Sequence, residues 1–242
     1  MTSGLRRTFL FIPFFLTASV VHAQNAGTTH VFPHIVDGVW SDGSAFTSRF
    51  SISNVGGFPA TCNISLFGIG PERLTASASV LVQPSSWEEI STHGQDVLAT
   101  GYARLDCSQP VFASLAYSLQ LASTSLFEIA TVPGAPLASR ALIPMVLNGR
   151  YRYGIAIANN NDAQLIVSLS FSSNGTNVLR TLQVPPRSHY AAFVDEIFSV
   201  PVEGSGTFEI LANGSVGSGN FNITALLFGQ GVFTNVLPAI VY

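Results

Sequence analysis

Lysine is absent from this 242-residue chain, and its ten strongly basic residues are all arginine. Charge of either sign is scarce, with charged residues at 10% against about 25% in ordinary soluble domains. The arginines are scattered, so nothing forms the clustered positive surface that a phosphate backbone requires, which argues against nucleic acid as a partner. Cysteine is limited to Cys62 and Cys107, and with only Asp106 beside them they lack the group of His, Asp or further Cys that a metal site would need. No apolar stretch has the length of a membrane span. The run from Phe9 to Val21 falls short of the roughly 20 residues required and is broken by Pro13.

That run has another use. Arg6 and Arg7 precede it and Val21-His22-Ala23 follows, the layout of a secretory signal peptide over residues 1–23 with cleavage after Ala23. The Arg-Arg-Thr-Phe-Leu string also resembles a twin-arginine export signal, although a positively charged leader start explains it as well. Export predicts a secreted, periplasmic or cell-surface protein whose mature chain spans no membrane. The formal charge of −3 becomes −5 once Arg6 and Arg7 leave. Abundant Ser, Thr, Asn and Gly then give a polar, weakly charged surface, suited to an extracellular β-protein.

Self-similarity organises the remainder. Phe32-Pro33-His34-Ile35-Val36-Asp37-Gly38 shares its frame of apolar, Pro, four residues and Gly with Ile143-Pro144-Met145-Val146-Leu147-Asn148-Gly149. Phe50-Ser51-Ile52-Ser53-Asn54 matches Ile155-Ala156-Ile157-Ala158-Asn159, and Val82 to Trp87 matches Val184 to His189. Gly101-Tyr102-Ala103-Arg104-Leu105 matches Gly206-Thr207-Phe208-Glu209-Ile210, and each copy closes on a Phe leading to a Pro. The copies run over 30–133 and 141–242, joined by a short, stiff connector over 134–140 that carries Pro136. Within each copy the period is two, as in Cys62, Ile64 and Leu66, with about seven strands separated by Gly, Pro, Asn and Ser. The expected fold is all-β: two tandem immunoglobulin-like β-sandwich domains after a cleaved signal peptide. Short helical turns are expected at Gln95–Ala99 and Phe193–Phe198, at the same place in each copy. The terminal Tyr242 raises an outer-membrane barrel as a rival, against which Pro238 and the two-copy layout argue.

Shifting Cys62 and Cys107 by the repeat offset of 105 gives Val167 and Ala212. One copy holds both cysteines and the other holds two apolar residues, which predicts a Cys62–Cys107 disulfide between strands.

Chemistry-bearing groups are few. His30 and His34 are four apart, but Pro33 between them denies the helix that would aim both at a metal. His93 and His189 occupy comparable places in the copies without a nucleophile and carboxylate that recur beside them. The pairs Glu88-Glu89 and Asp195-Glu196 read as solvated loop ends, because calcium needs more oxygen ligands at loop spacings. Trp40, Trp87, Tyr151 and Tyr153 adjoin Gly, Ser or Arg and are expected outside the cores, where a ring stacks on a sugar or anchors a protein. Arg150 and Arg152 flank Tyr151, forming a cationic-aromatic patch for an anionic group or a plain solvated turn. No metal, cofactor or catalytic residue is expected.

The Pro-x4-Gly opening, the strands ending in Asn54 and Asn159, the Pro-Ser segments at 84–86 and 186–188, and the Gly-led strands at 101 and 206 resemble those of exported tandem β-sandwich proteins of environmental bacteria. The resemblance covers nearly the whole mature chain and implies an exported β-protein, but no substrate. The expected function is a non-catalytic binding or adhesion module for an extracellular glycan or protein. The alternatives are a structural spacer of an envelope assembly, or a hydrolase with a site at the domain junction.

Overall fold

A computed structural model describes residues 26–122, 127–173, 175–198, 203–213, 219–229 and 232–241, and the expected leader lies outside them. The first half contains β1 (Gly27–Val39), β2 (Ala45–Asn54), β3 (Ala60–Phe67), β4 (Ser79–Val82), β5 (Ser86–Ser91), β6 (Ala99–Gln120) and β7 (Phe127–Pro133). The second contains β8 (Leu137–Ala138), β9 (Arg140–Leu147), β10 (Arg152–Asn159), β11 (Leu165–Ser173), β12 (Thr176–Val184), β13 (Ser188–Phe193), a one-turn helix α1 (Val194–Ile197), β14 (Gly204–Ala212), β15 (Phe221–Gly229), β16 (Val232–Val236) and β17 (Ala239–Val241). All the named strands pair antiparallel.

Strand β6 explains the first half. Its apolar residues from Gly101 to Leu105 and its alternate residues Val111, Ala113, Leu115 and Tyr117 are buried, whereas Ser108, Gln109 and Pro110 between them are exposed. The strand therefore crosses from one layer to another at a proline, which has no N–H to offer a ladder. Its first part pairs with β1 and β3, its last part with β2 and β7. One seven-stranded sheet thus folds over on itself and encloses Phe32, Ile35, Phe50, Ile52, Leu105 and Leu115, all essentially inaccessible. The second half uses two separate sheets, β12-β11-β14-β9-β17 and β13-β10-β15-β16 with β8 at its side, around a core of Ile143, Ile157, Leu169, Phe208 and Phe221.

The pairing order recurs. Strand β2 pairs with β5 and β6 as β10 pairs with β13 and β15, and β3 pairs with β4 and β6 as β11 pairs with β12 and β14. Cys62 faces Cys107 across β3 and β6 and is bonded to it, while Val167 faces Ala212 across β11 and β14. Ser85 and Arg187, each following a proline, hold positive φ of 54° and 49° at the same turn. Buried Asn54 donates through Nδ2 to the carbonyls of Phe58 (2.8 Å) and Val82 (3.0 Å) and accepts from the Gly56 N–H. Asn159 repeats this with Ala163 (2.9 Å), Val184 (3.0 Å) and the Asn161 N–H. In both halves a buried amide pins a turn to the end of a neighbouring strand.

Of the two expected helical turns, only α1 forms. In the first half Gly94 sits at φ +68° with its N–H on Asp37 Oδ1 (2.7 Å), and Val97 bridges to Val39, so that stretch stays extended. The connector is tied down as well, since Ala135 donates to the Val31 carbonyl and accepts from Asn222 Nδ2.

The halves meet face to face. Strand β10 is buried on both sides: Tyr153, Ile155 and Ile157 enter its own core, and Ala156 and Ala158 are covered from the other side. Ala158 packs with Val31 and Tyr102 of the first half, and Leu226 of β15 joins the first half's core. Small residues on alternate positions let the two sheets approach closely.

Candidate functional site

The junction site begins with an irregularity in β1. Strict alternation would send Phe32 and His34 to one face and Ile35 to the other. The pairing of β1 with β6 instead shifts between Phe32 and Ile35, and both of these side chains are fully buried in the core. Pro33 and His34 occupy the bulge, and His34 is left at the junction. The buried Tyr117 hydroxyl donates to the His34 carbonyl at 2.7 Å and braces the bulge from inside the core.

The His34 ring lies 6.0 Å, centroid to centroid, from Tyr117 and 6.0 Å from His189, which β13 brings from the second half. Burial removes the water that would solvate an imidazolium, and His189 nearby adds repulsion, so the pKa of His34 falls to about 3. Burial lowers His189 too, and raises Tyr117 well above the usual phenol range. Both imidazoles are therefore neutral at ordinary pH. His34 Nδ1 is sealed from solvent without a hydrogen-bond partner.

Beside His34 is a cavity of about 310 Å³. The first half supplies Val36, Trp40, Phe46, Leu98, Thr100 and Tyr117, and the second supplies Gly154, Ala156, Ala191, Phe193, Thr224, Leu226 and Phe228. Trp40 leans on Phe46 (6.1 Å) and stands half in solvent, at 51% exposure, which places it at the mouth. Phe193 meets Phe228 edge to face at 5.3 Å. Gly154 makes room for these rings, because a Cβ there would sit 3.1 Å from Phe228. The wall is mainly apolar, with His34, Thr100, Thr224 and Glu196 as its polar points.

Glu196 is already engaged. Arg152 lies 3.8 Å above the Phe193 ring and pairs with Glu196 (2.6 Å) and Asp195 (3.0 Å), so the helical turn α1 presents two carboxylates to one guanidinium. The trio carries one net negative charge.

The structure brings Trp40 and Arg152 to this site, Arg152 through its contacts with Phe193 and Glu196. Tyr153, expected outside the core, lies inside it at 7% exposure, and its hydroxyl accepts from the Val146 N–H. It shares the parity of Ile155 and Ile157, which outweighs its turn-like neighbours. Tyr151 is half-buried against the same core, and Arg150 is exposed, with its backbone N–H on Asn148 Oδ1. Trp87 stands on β5 opposite Ser53 at 63% exposure and takes no part in the cavity wall. From sequence alone His34 is weighed only as a metal ligand, and Phe46, Phe193 and Phe228 are not picked out as site residues. The one trace of them is the small-residue series Gly154, Ala156 and Ala158 on alternate positions of a strand, a sign of close approach on its second face.

His30 is also buried, with Nε2 3.0 Å from the carbonyls of Gly27 and Val111. Among the described residues no three His, Cys, Asp or Glu side chains converge, and no helix is long and apolar enough to cross a membrane. No protein-family model, curated protein or solved structure matches the chain.

Proposed function

We propose that this chain is an exported, non-catalytic binding module built from two duplicated immunoglobulin-like sandwiches, and that its ligand occupies the cavity between them. The carrying observation is a mainly apolar cavity of about 310 Å³ whose walls come from both halves and whose polar points are few. Small-molecule sites have this character: apolar linings, a few placed polar groups, and a position between structural units. The Cys62–Cys107 disulfide suits an oxidising compartment and so agrees with export. The immunoglobulin-like reading draws on the central pairs β10–β13 and β11–β14, which parallel the B–E and C–F pairs of that fold. It is a variant of that order, since β15 lies beside β10 instead of beside β14. The disulfide also lies within one layer, whereas antibody domains bridge two.

Trp40 reports on the cavity once Trp87, the only other tryptophan, is changed to Phe. In that variant, titration with the neutral fluorophore N-phenyl-1-naphthylamine is expected to give saturable energy transfer from Trp40. Ala191→Phe, which narrows the cavity from an exposed position, should abolish it. No saturable transfer in the open protein would overturn the cavity reading. The exposed ring of Trp87 favours a second reading, a flat glycan- or protein-binding face. Glycan-array binding that is lost in Trp87→Ala and retained in Ala191→Phe would support it.

A further inference from the structure

We infer that the junction cavity selects a neutral, ring-bearing small molecule that carries one hydroxyl directed at the His34 imidazole. The inference rests on the cavity being the ligand site. Besides His34, five aromatic rings line it, Trp40, Phe46 and Tyr117 from one half and Phe193 and Phe228 from the other, so a flat apolar body finds both faces and edges to pack on. The volume lies at the lower end of the range for small-molecule sites, which sets the scale at a fused ring pair and not a polypeptide segment.

Charge is disfavoured in both signs. An anion would meet Glu196 in the wall, whose cluster with Asp195 and Arg152 carries one net negative charge. A cation would enter a space so poorly solvated that His34 itself stays unprotonated, and the Phe193 ring already carries the Arg152 guanidinium. One polar feature remains to be satisfied. His34 borders the cavity, and neither of its two ring nitrogens has a protein partner. Nδ1 is sealed while Nε2 keeps solvent access, so Nε2 is the atom that a ligand in the cavity reaches and that is costly to cover unpaired. A ligand hydroxyl both donates and accepts, so it suits either imidazole tautomer.

The test uses four compounds on one skeleton, naphthalene, 2-naphthol, 2-naphthoate and 2-naphthylmethylammonium, as competitors of N-phenyl-1-naphthylamine on the exported chain with its disulfide formed. Expected is 2-naphthol binding about fivefold to tenfold tighter than naphthalene, the increment of one hydrogen bond, with both ions weaker than naphthalene. The hydroxyl preference should vanish in His34→Phe and persist in His34→Gln, whose amide keeps a donor and an acceptor. Equal affinity for naphthalene and 2-naphthol overturns the role of His34. Tighter binding of either ion overturns the neutral class, as does failure of all four to displace a fluorophore that itself binds. Failure of the fluorophore to bind at all overturns instead the cavity reading on which this rests.

Discussion

His34 and His189 come from opposite halves of the chain, and their rings lie 6.0 Å apart across the junction with the pKa of each held down by burial. The unfolded chain binds protons on both near pH 6.5, whereas folded His34 does so only near pH 3. Stability from these groups is complete above pH 6.5 and is lost as pH falls below it, because acid favours the state that takes up protons. Within that window His34 alone contributes a slope of about 1.4 kcal/mol per pH unit. Thermal unfolding followed from pH 7 to pH 4 should show a falling Tm with a shallower fall in His34→Phe. Identical slopes in the two proteins would contradict the burial argument.

The bonded pair Cys62–Cys107 and the opposed pair Val167 and Ala212 are two solutions to one position in the pairing scheme. Replacing both cysteines to give Cys62→Val and Cys107→Ala copies the second half's choice and removes the cross-link while keeping an apolar contact. The expected loss is about 2–4 kcal/mol, from a denatured chain released from its closed loop. Reductant should lower the Tm of the parent and leave that of the double variant unchanged. A parent indifferent to reductant would refute this.

Asn54 and Asn159 were legible as matching strand ends because their work is local, a carboxamide closing the turn that follows. Each also reaches a carbonyl at a distant strand end, so Asn54→Ala and Asn159→Ala should cost similar amounts, about 1–3 kcal/mol, by stranding buried carbonyls. Chemical denaturation of the two variants checks this. A large cost at one position and none at the other would mean that the matched hydrogen bonds do not carry the stability of both turns.

Alternation, turn residues and paired substitutions are written along the chain, which is why the all-β class and the disulfide could be read there. The cavity is not written that way. It joins Trp40 and Phe46 to Phe193 and Phe228, about 150 to 190 residues away, through sheet faces whose partners no local pattern identifies. His34 shows the difficulty at a single position. Its outward placement depends on a one-residue shift in the pairing of β1, which simple alternation would have missed, and Pro33 beside it reads equally well as a plain extended segment. Tyr153 errs in the opposite sense, since Arg and Gly beside it suggest a turn while its parity with Ile155 places it in the core.

Tyr117 links that shift to the site. Its hydroxyl, held protonated by burial, donates to the carbonyl of His34 and so fixes the backbone from which the imidazole projects. Tyr117→Phe keeps the ring in the core and removes the donor, which leaves a part-buried carbonyl without this partner at a cost of about 1 kcal/mol. If the brace also sets the position of His34, the variant should lose part of the preference for 2-naphthol over naphthalene while binding naphthalene as before. Calorimetric titration of the two compounds separates the effects: a lower Tm with an unchanged preference would make Tyr117 a purely structural strut, whereas a reduced preference would show that the core hydroxyl positions the cavity's polar point.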